Sequence, residues 1–171
     1  MKRAIVIGAS SGIGREVAKL LMADGWTVGV GARRVELLAT LGAAAVERID
    51  VTADDATVQL KSLINKIGGM DLLFYASGIG KQNRELKEDI ELATMQTNAV
   101  GFTRVIGEAY RYFAEQGRGH IAAITSIAGT KGLGPSPAYS ATKAMQNTYL
   151  QALLHKDSPQ EKVSDALSPW F

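Results

Sequence analysis

Residues 8–14 read Gly8-Ala9-Ser10-Ser11-Gly12-Ile13-Gly14. An apolar run, Ala4–Ile7, comes before them. An amphipathic run, Gly14–Asp24, comes after, with Val17, Leu20 and Leu21 on one face. A glycine-rich turn between a buried strand and a helix serves an anion in two ways. Without a Cβ, the backbone turns sharply and a phosphate approaches it closely. The helix start behind the turn presents unpaired N–H groups and a partial positive charge. The spacing G-x-x-x-G-x-G in that setting points to a phosphate-binding loop. The other reading is a tight strand–helix turn that needs glycine for packing alone.

Outward from this loop, strand and helix signals alternate. Trp26–Val30 reads as strand, Val35–Leu41 as helix and Ala44–Ile49 as strand. A cap at Thr52 predicts a helix through Ile67, and Asp71–Tyr75 reads as strand. Leu92–Gln116 reads as one long helix, with Phe102, Ile106, Ala109 and Phe113 at helical spacing. His120–Thr125 reads as strand and Ala138–Leu154 as the last long helix. Such alternation implies a parallel sheet with helices on both faces. Right-handed crossovers make it doubly wound. The expected fold is therefore an α/β, Rossmann-like dinucleotide-binding domain over residues 1–155. It stops after the helix that follows the fifth strand.

Residues 156–171 form a tail of different character, without an apolar β-branched run. Ser158-Pro159-Gln160-Glu161 is a capping-box pattern with proline at the first helical position. It predicts a short helix over 159–167, ended before Pro169. Trp170 and Phe171 are expected to pack against something.

Composition bounds the chemistry. The chain has 171 residues, 46% hydrophobic and 21% charged, as expected of one globular domain. A net charge of +2 gives no argument for nucleic acid or a membrane surface. There is no cysteine, which excludes disulfides and thiol chemistry and fits a reducing, cytoplasmic setting. Two histidines, His120 and His155, argue against a His-rich metal site. The apolar run at the N-terminus is too short for a signal-peptide core or a membrane span.

The end of the second strand bears on which dinucleotide fits. A site selective for NAD places an acid there for the ribose 2′-hydroxyl. Here the strand runs into Gly31-Ala32-Arg33-Arg34, with no acid before Glu36. Two guanidiniums suit a 2′-phosphate. Arg15 adds further positive charge. The expected cofactor is NADP(H) over NAD(H); the other reading of Arg33 and Arg34 is a solvated helix start. Asp50-Val51, at the end of the third strand, offers a carboxylate to an adenine amino group.

Residues 139–143 read Tyr139-Ser140-Ala141-Thr142-Lys143. At i and i+4 on a helix, tyrosine and lysine share a face. A free tyrosine, with a pKa of about 10, is a poor base at neutral pH. A nearby ammonium stabilises a phenolate and so favours proton exchange with an alcohol or carbonyl oxygen. Ser126, at the end of the fifth strand, can hydrogen-bond the same oxygen.

The order of these parts resembles the short-chain dehydrogenase/reductase family. The residues that carry the resemblance are GASSGIG at 8–14, DVT at 50–52, Asn98 in TNAVG, Ser126 in ITSIAG, and Tyr139 with Lys143 in YSATK. It covers roughly residues 3–154. The resemblance implies that Tyr139 is the acid/base and that Lys143 tunes it and holds the nicotinamide ribose. Ser126 then positions the carbonyl, and Asn98 helps hold a water in a proton relay. Asn98 also reads as a polar residue that kinks the long helix. The family further implies a small carbonyl or alcohol substrate. It also implies a homodimer through the two long helices, with Phe102, Ile106, Tyr149 and Leu153 as candidate apolar contacts.

The chain departs from the family pattern in three places. Ile7 stands where the family has threonine. Tyr75-Ala76-Ser77-Gly78 stands in place of Asn-Asn-Ala-Gly, yet Ala76, Ser77 and Gly78 are still expected to lie along the cofactor. Family members continue with a sixth strand ending in Pro-Gly, a segment over the substrate and a seventh strand, none of which the tail resembles. Two readings follow. One is an NADP-dependent oxidoreductase that reduces a carbonyl or oxidises an alcohol by hydride transfer. The other is an NADP-binding protein without a substrate lid and with impaired turnover.

Overall fold

Ala4, Ile5, Val6 and Ile7 are completely shielded from solvent. A strand with both faces apolar must be covered on both faces, and that places it at the centre of a sheet. In the computed structural model, which describes residues 2–156, this strand is β1 (Arg3–Ile7). It pairs in parallel with β2 (Thr27–Ala32) on one side and β4 (Leu72–Tyr75) on the other. The sheet is completed by β3 (Ala45–Arg48) and β5 (His120–Ala123), giving the order β3-β2-β1-β4-β5, all parallel. The fold is the expected doubly wound, Rossmann-like α/β sheet.

Two helices cover one face. α1 (Gly12–Ala23) and α2 (Val35–Ala39) bury Ala18 and Leu38 against Val6, Val28 and Val30. On the other face α3 (Ala56–Lys66), α5 (Phe102–Gln116) and α6 (Pro137–Leu154) share one core. Leu60, Leu63, Phe102, Ile106, Phe113 and Leu150 meet Ile5, Ile7 and Leu73 there. Each fully buried side chain of this size is worth about 1.5–3 kcal/mol. The two long helices thus lie on the same side of the sheet, as expected. Phe102 and Ile106 are consumed in that core, and Tyr149 and Leu153 pack against it. The exposed apolar side chains of these helical segments are instead Leu92, Met95, Val100 and Leu154.

The strand order reverses between β1 and β4, so the loops that leave their C-terminal ends part in opposite directions. Such a switch point opens a crevice. Here the two loops also touch: a Cβ on Gly8, whose φ is +89°, would stand 2.7 Å from the backbone nitrogen of Ser77.

Several boundaries differ from expectation. α1 begins at Gly12 rather than Gly14. Thr52 does not cap a helix. Its N–H and hydroxyl both donate to Asp50 Oδ1, at 3.0 and 2.7 Å, which closes a local turn, and α3 starts only at Ala56. β5 ends at Ala123, before Ile124 and Thr125. The long helix is three pieces: α4 (Glu88–Met95), a π-helical segment (Gln96–Gly101) and α5. The helix expected over 159–167, with Trp170 and Phe171, lies outside the described residues. No helix among the described residues is long and apolar enough to cross a membrane.

Candidate active site

The residues flagged in sequence converge at the C-terminal ends of the strands. A cleft of about 150 Å³ is lined by Gly8, Ser10 and Ser11 after β1, Arg33 and Arg34 after β2, and Asp50 and Val51 after β3. Ala76, Ser77 and Gly78, after β4, close it on the other side. Gly12, Ile13 and Gly14 do not line it. Gly14 is needed for packing: a Cβ there would stand 2.5 Å from the Gly8 carbonyl oxygen. Ile13 points outward and is exposed.

The cleft is polar and mostly positive. Arg34 Nη2 donates to the hydroxyls of both Ser10 and Ser11, each at 3.0 Å, so a guanidinium already sits on the glycine loop. Arg15 is elsewhere, donating to the Leu37 carbonyl and the Thr40 hydroxyl and so tying α1 to α2. Asp50 is held below the usual carboxylate range. Burial pushes it up, but the Thr52 hydrogen bonds and the charges of Arg33 and Arg48 together outweigh that.

Ala76, Gly78 and Ile79 are shared with a second cavity of about 380 Å³, lined also by Ile124, Thr125, Tyr139 and Lys143. The two cavities adjoin along the strand ends and are together called the trough. Lys143 is 5% exposed, and burial pushes it down to about 8. Its Nζ lies 5.7 Å from the centre of the Tyr139 ring. It donates to the Ile124 carbonyl at 2.9 Å and to Gln146 Oε1 at 3.0 Å.

Asn98 sits in the π-helical segment, wholly buried. Its Oδ1 accepts from Ile79 N at 2.9 Å, and its Nδ2 donates to the Ile79 carbonyl at 2.7 Å. The side chain thus clamps the loop that joins the two cavities. Nδ2 also donates to Thr142 Oγ1 at 3.2 Å, and the Asn98 carbonyl accepts from Gln146 Nε2 at 2.8 Å.

Ser126 does not line the second cavity. It precedes a 3₁₀ turn (Ile127–Gly129), and its Oγ accepts from Ala128 N at 3.1 Å. This turn is seated against α6: a Cβ on Gly129 would stand 2.7 Å from the Lys143 carbonyl carbon. Tyr139 and Lys143 are therefore brought together directly, Asn98 joins them through Thr142 and Gln146, and Ser126 approaches through its turn. Sequence reasoning missed Ile79, Thr142 and Gln146. Gln146 stands three residues after Lys143, and that helical spacing was its one available signal.

A family model described as short chain dehydrogenase matches residues 2–164. The chain belongs to the short-chain dehydrogenase/reductase family of oxidoreductases. An uncharacterized oxidoreductase of Myxococcus xanthus is 32% identical over 163 residues, which are 89% of this chain and 64% of that protein. One from Listeria monocytogenes is 35% identical over 169 residues, 92% of this chain and 67% of that protein. The chain thus spans about two thirds of the length of these curated relatives. A solved actinorhodin polyketide ketoreductase with NADPH is similar in structure, with a TM-score of 0.85 and 28% identity, over 94% of this chain and 67% of that one.

Proposed function

We propose that this family member is an NADP-dependent oxidoreductase that reduces a small carbonyl compound, or oxidises the matching alcohol, with Tyr139 as acid/base. One observation carries the reading. Two adjoining cavities that share Ala76, Gly78 and Ile79 have Gly8, Ser10, Ser11, Arg33 and Arg34 in one and Tyr139 with Lys143 in the other. The residues fit a dinucleotide phosphate. Gly8 lines the cleft at a point where a Cβ would strike the Ser77 backbone, so the strand end carries no side chain there, and Arg34 stands on two hydroxyls beside it. NADPH, when bound, supplies the hydride. The ketoreductase similar in structure was solved with NADPH.

Each residue then has a task. Arg33 and Arg34 bind the 2′-phosphate through charge-assisted bonds, and Asp50 takes an adenine donor with the oxygen that Thr52 leaves free. Tyr139 donates its proton to the carbonyl oxygen of the substrate as that oxygen gains charge. Lys143 holds positive charge beside the ring and binds the nicotinamide ribose. Ser126 accepts from Ala128 N, which leaves its hydroxyl proton unspent, and it would reach the same substrate oxygen from the turn beside the trough rather than from the cavity wall. Asn98 keeps the 79 loop in place and so sets the width of the trough. A homodimer through the Leu92, Met95 and Val100 side of the helices goes with this reading, as does a cytoplasmic setting.

The experiment is a binding and turnover pair. NADPH and NADH are titrated against the full chain at one salt concentration, followed by NADPH consumption with a panel of ketones and aldehydes. Tighter NADPH binding, together with turnover that Tyr139→Phe abolishes while binding persists, supports the proposal. Equal affinity for the two cofactors, or turnover retained in Tyr139→Phe, overturns the corresponding half. NADPH binding with no turnover on any carbonyl favours the cofactor-binding alternative.

A further inference from the structure

Gln146 has no exposed surface and lies one turn after Lys143 on α6. A buried amide must satisfy both of its ends. Nε2 donates to the Asn98 carbonyl at 2.8 Å, and Oε1 accepts from Lys143 Nζ at 3.0 Å. These ends are not interchangeable. A carbonyl oxygen only accepts and an ammonium only donates. Turning the amide over would set oxygen against oxygen and NH₂ against NH₃⁺. The Asn98 backbone therefore dictates which end of Gln146 faces the lysine.

The geometry points to Gln146 as a positioning residue that keeps the Lys143 side chain in its charged form and leaves one N–H for the trough. The ammonium has three protons. Two go to neutral acceptors that cannot donate, the Ile124 carbonyl and the Gln146 amide oxygen. The third remains on the side of the cavity that Lys143 lines with Tyr139. The titratable groups sharing that cavity are Tyr139 on α6 and Lys81 on the loop after β4, and no carboxylate lines it. From α4, Glu91 turns away to Asn83 and to the backbone of Ala138. Among the described residues the buried cation is thus held by neutral acceptors, so each one carries a large share. Burial already brings Lys143 down to about 8, close enough to neutrality for the loss of one acceptor to change its charge.

The consequence for catalysis rests on the reductase reading; the hydrogen bonding does not. The test is an NMR titration of the full chain carrying ¹³C-labelled lysine, without cofactor, with Lys143→Met identifying the signal. In Gln146→Leu the Lys143 midpoint should fall by roughly one pH unit while the other lysines stay in place. Gln146→Met, closer in length and equally unable to accept strongly, decides the matter if the leucine variant does not fold. An unmoved Lys143 midpoint in a folded variant overturns the inference. With NADPH and a carbonyl substrate, the alkaline fall in rate should begin correspondingly earlier in the variant. A chain that neither binds nor turns over NADPH sinks the reductase reading and leaves the titration result standing. An unmoved midpoint in an active enzyme sinks this inference alone.

Discussion

The Glu91 carboxylate accepts the backbone N–H of Ala138 at 3.0 Å, one residue before Tyr139. A side chain on α4 thereby satisfies an orphan donor at the start of α6, where negative charge is favoured. Its other oxygen accepts from Asn83 Nδ2 at 2.8 Å. Asn83 N in turn donates to the Pro135 carbonyl at 2.6 Å, so the loops on both sides of the trough are tied through this pair.

Glu91→Ala should therefore cost stability and activity together. Loss of hydrogen bonds to a charged group is worth about 1.5–3 kcal/mol. Carbonyl reduction should fall further than NADPH affinity, because the start of α6 carries Tyr139. Denaturant midpoints and steady-state kinetics check this, and an unchanged midpoint counts against the brace.

Tyr75 is 1% exposed, and its hydroxyl has no hydrogen-bond partner among the described residues. Burial pushes its pKa up for the same reason. The ring itself packs edge-on against Phe102 with centroids 5.2 Å apart. Tyr75→Phe keeps that packing and removes an unsatisfied group, so thermal stability should be equal or higher. A clear fall in Tm would show that the hydroxyl has a partner in solution.

Arg34→Ala should weaken NADPH binding about tenfold to a hundredfold, the worth of one or two charge-assisted bonds. NADH binding should change little. Fluorescence titration of both cofactors reads the difference. A parallel loss for NADH would mean that Arg34 shapes the glycine loop through Ser10 and Ser11 rather than reading the extra phosphate.

Acid should unfold the chain partly through Asp71. Hydrogen bonds from Arg3 hold its carboxyl below the usual range, despite opposing burial. A carboxylate with a depressed folded pKa stabilises above its unfolded value, near 4, and that contribution is lost as pH falls through the folded value. Stability should be level from pH 7 to about 5 and decline below 4, with a shallower decline in Asp71→Asn. Urea midpoints across that range give the comparison.

Lys143 acts at the other end of the scale. Its folded value of about 8 lies below the roughly 10.4 of an unfolded lysine. Between the two the unfolded chain binds more protons, so stability should rise as pH climbs from 8 towards 10. Lys143→Met should lack this rise. A wild-type curve flat over that window would show that the ammonium is better solvated than its burial indicates.

The sheet was legible because its strands are short apolar runs between glycine or aspartate turns, and burial on both faces leaves little else for Ile5 or Leu73 to do. The trough was legible because Gly8, Arg34 and Tyr139 are chemically unusual for their places. What escaped detection was decided by contacts between distant segments. Thr52 has the residue type of a cap, but Asp50, two residues away, competes for its hydroxyl and N–H. Gln146 resembles any surface glutamine until Asn98, on a different element, supplies the carbonyl that orients it. The break at Gln96–Gly101 is silent in the apolar stripe, because Phe102, Ile106, Ala109 and Phe113 keep α-helical spacing beyond it.

That break sets a phase. An α-helix turns each residue by about 100°, whereas a π-helical turn takes up an extra residue without advancing the rotation. Thr94 and Glu91 on α4 and Phe102 and Ile106 on α5 are both aimed correctly only because one residue is absorbed between them. Deleting a residue from 96–101 would remove the absorbed residue and leave the two halves in phase, whereas deleting one within α4 or α5 would rotate one half by about 100° against the other. Either the Glu91 brace or the Phe102 core would then face the wrong way. The irregular segment is therefore where this helix can lose a residue without turning the Glu91 brace against the Phe102 core.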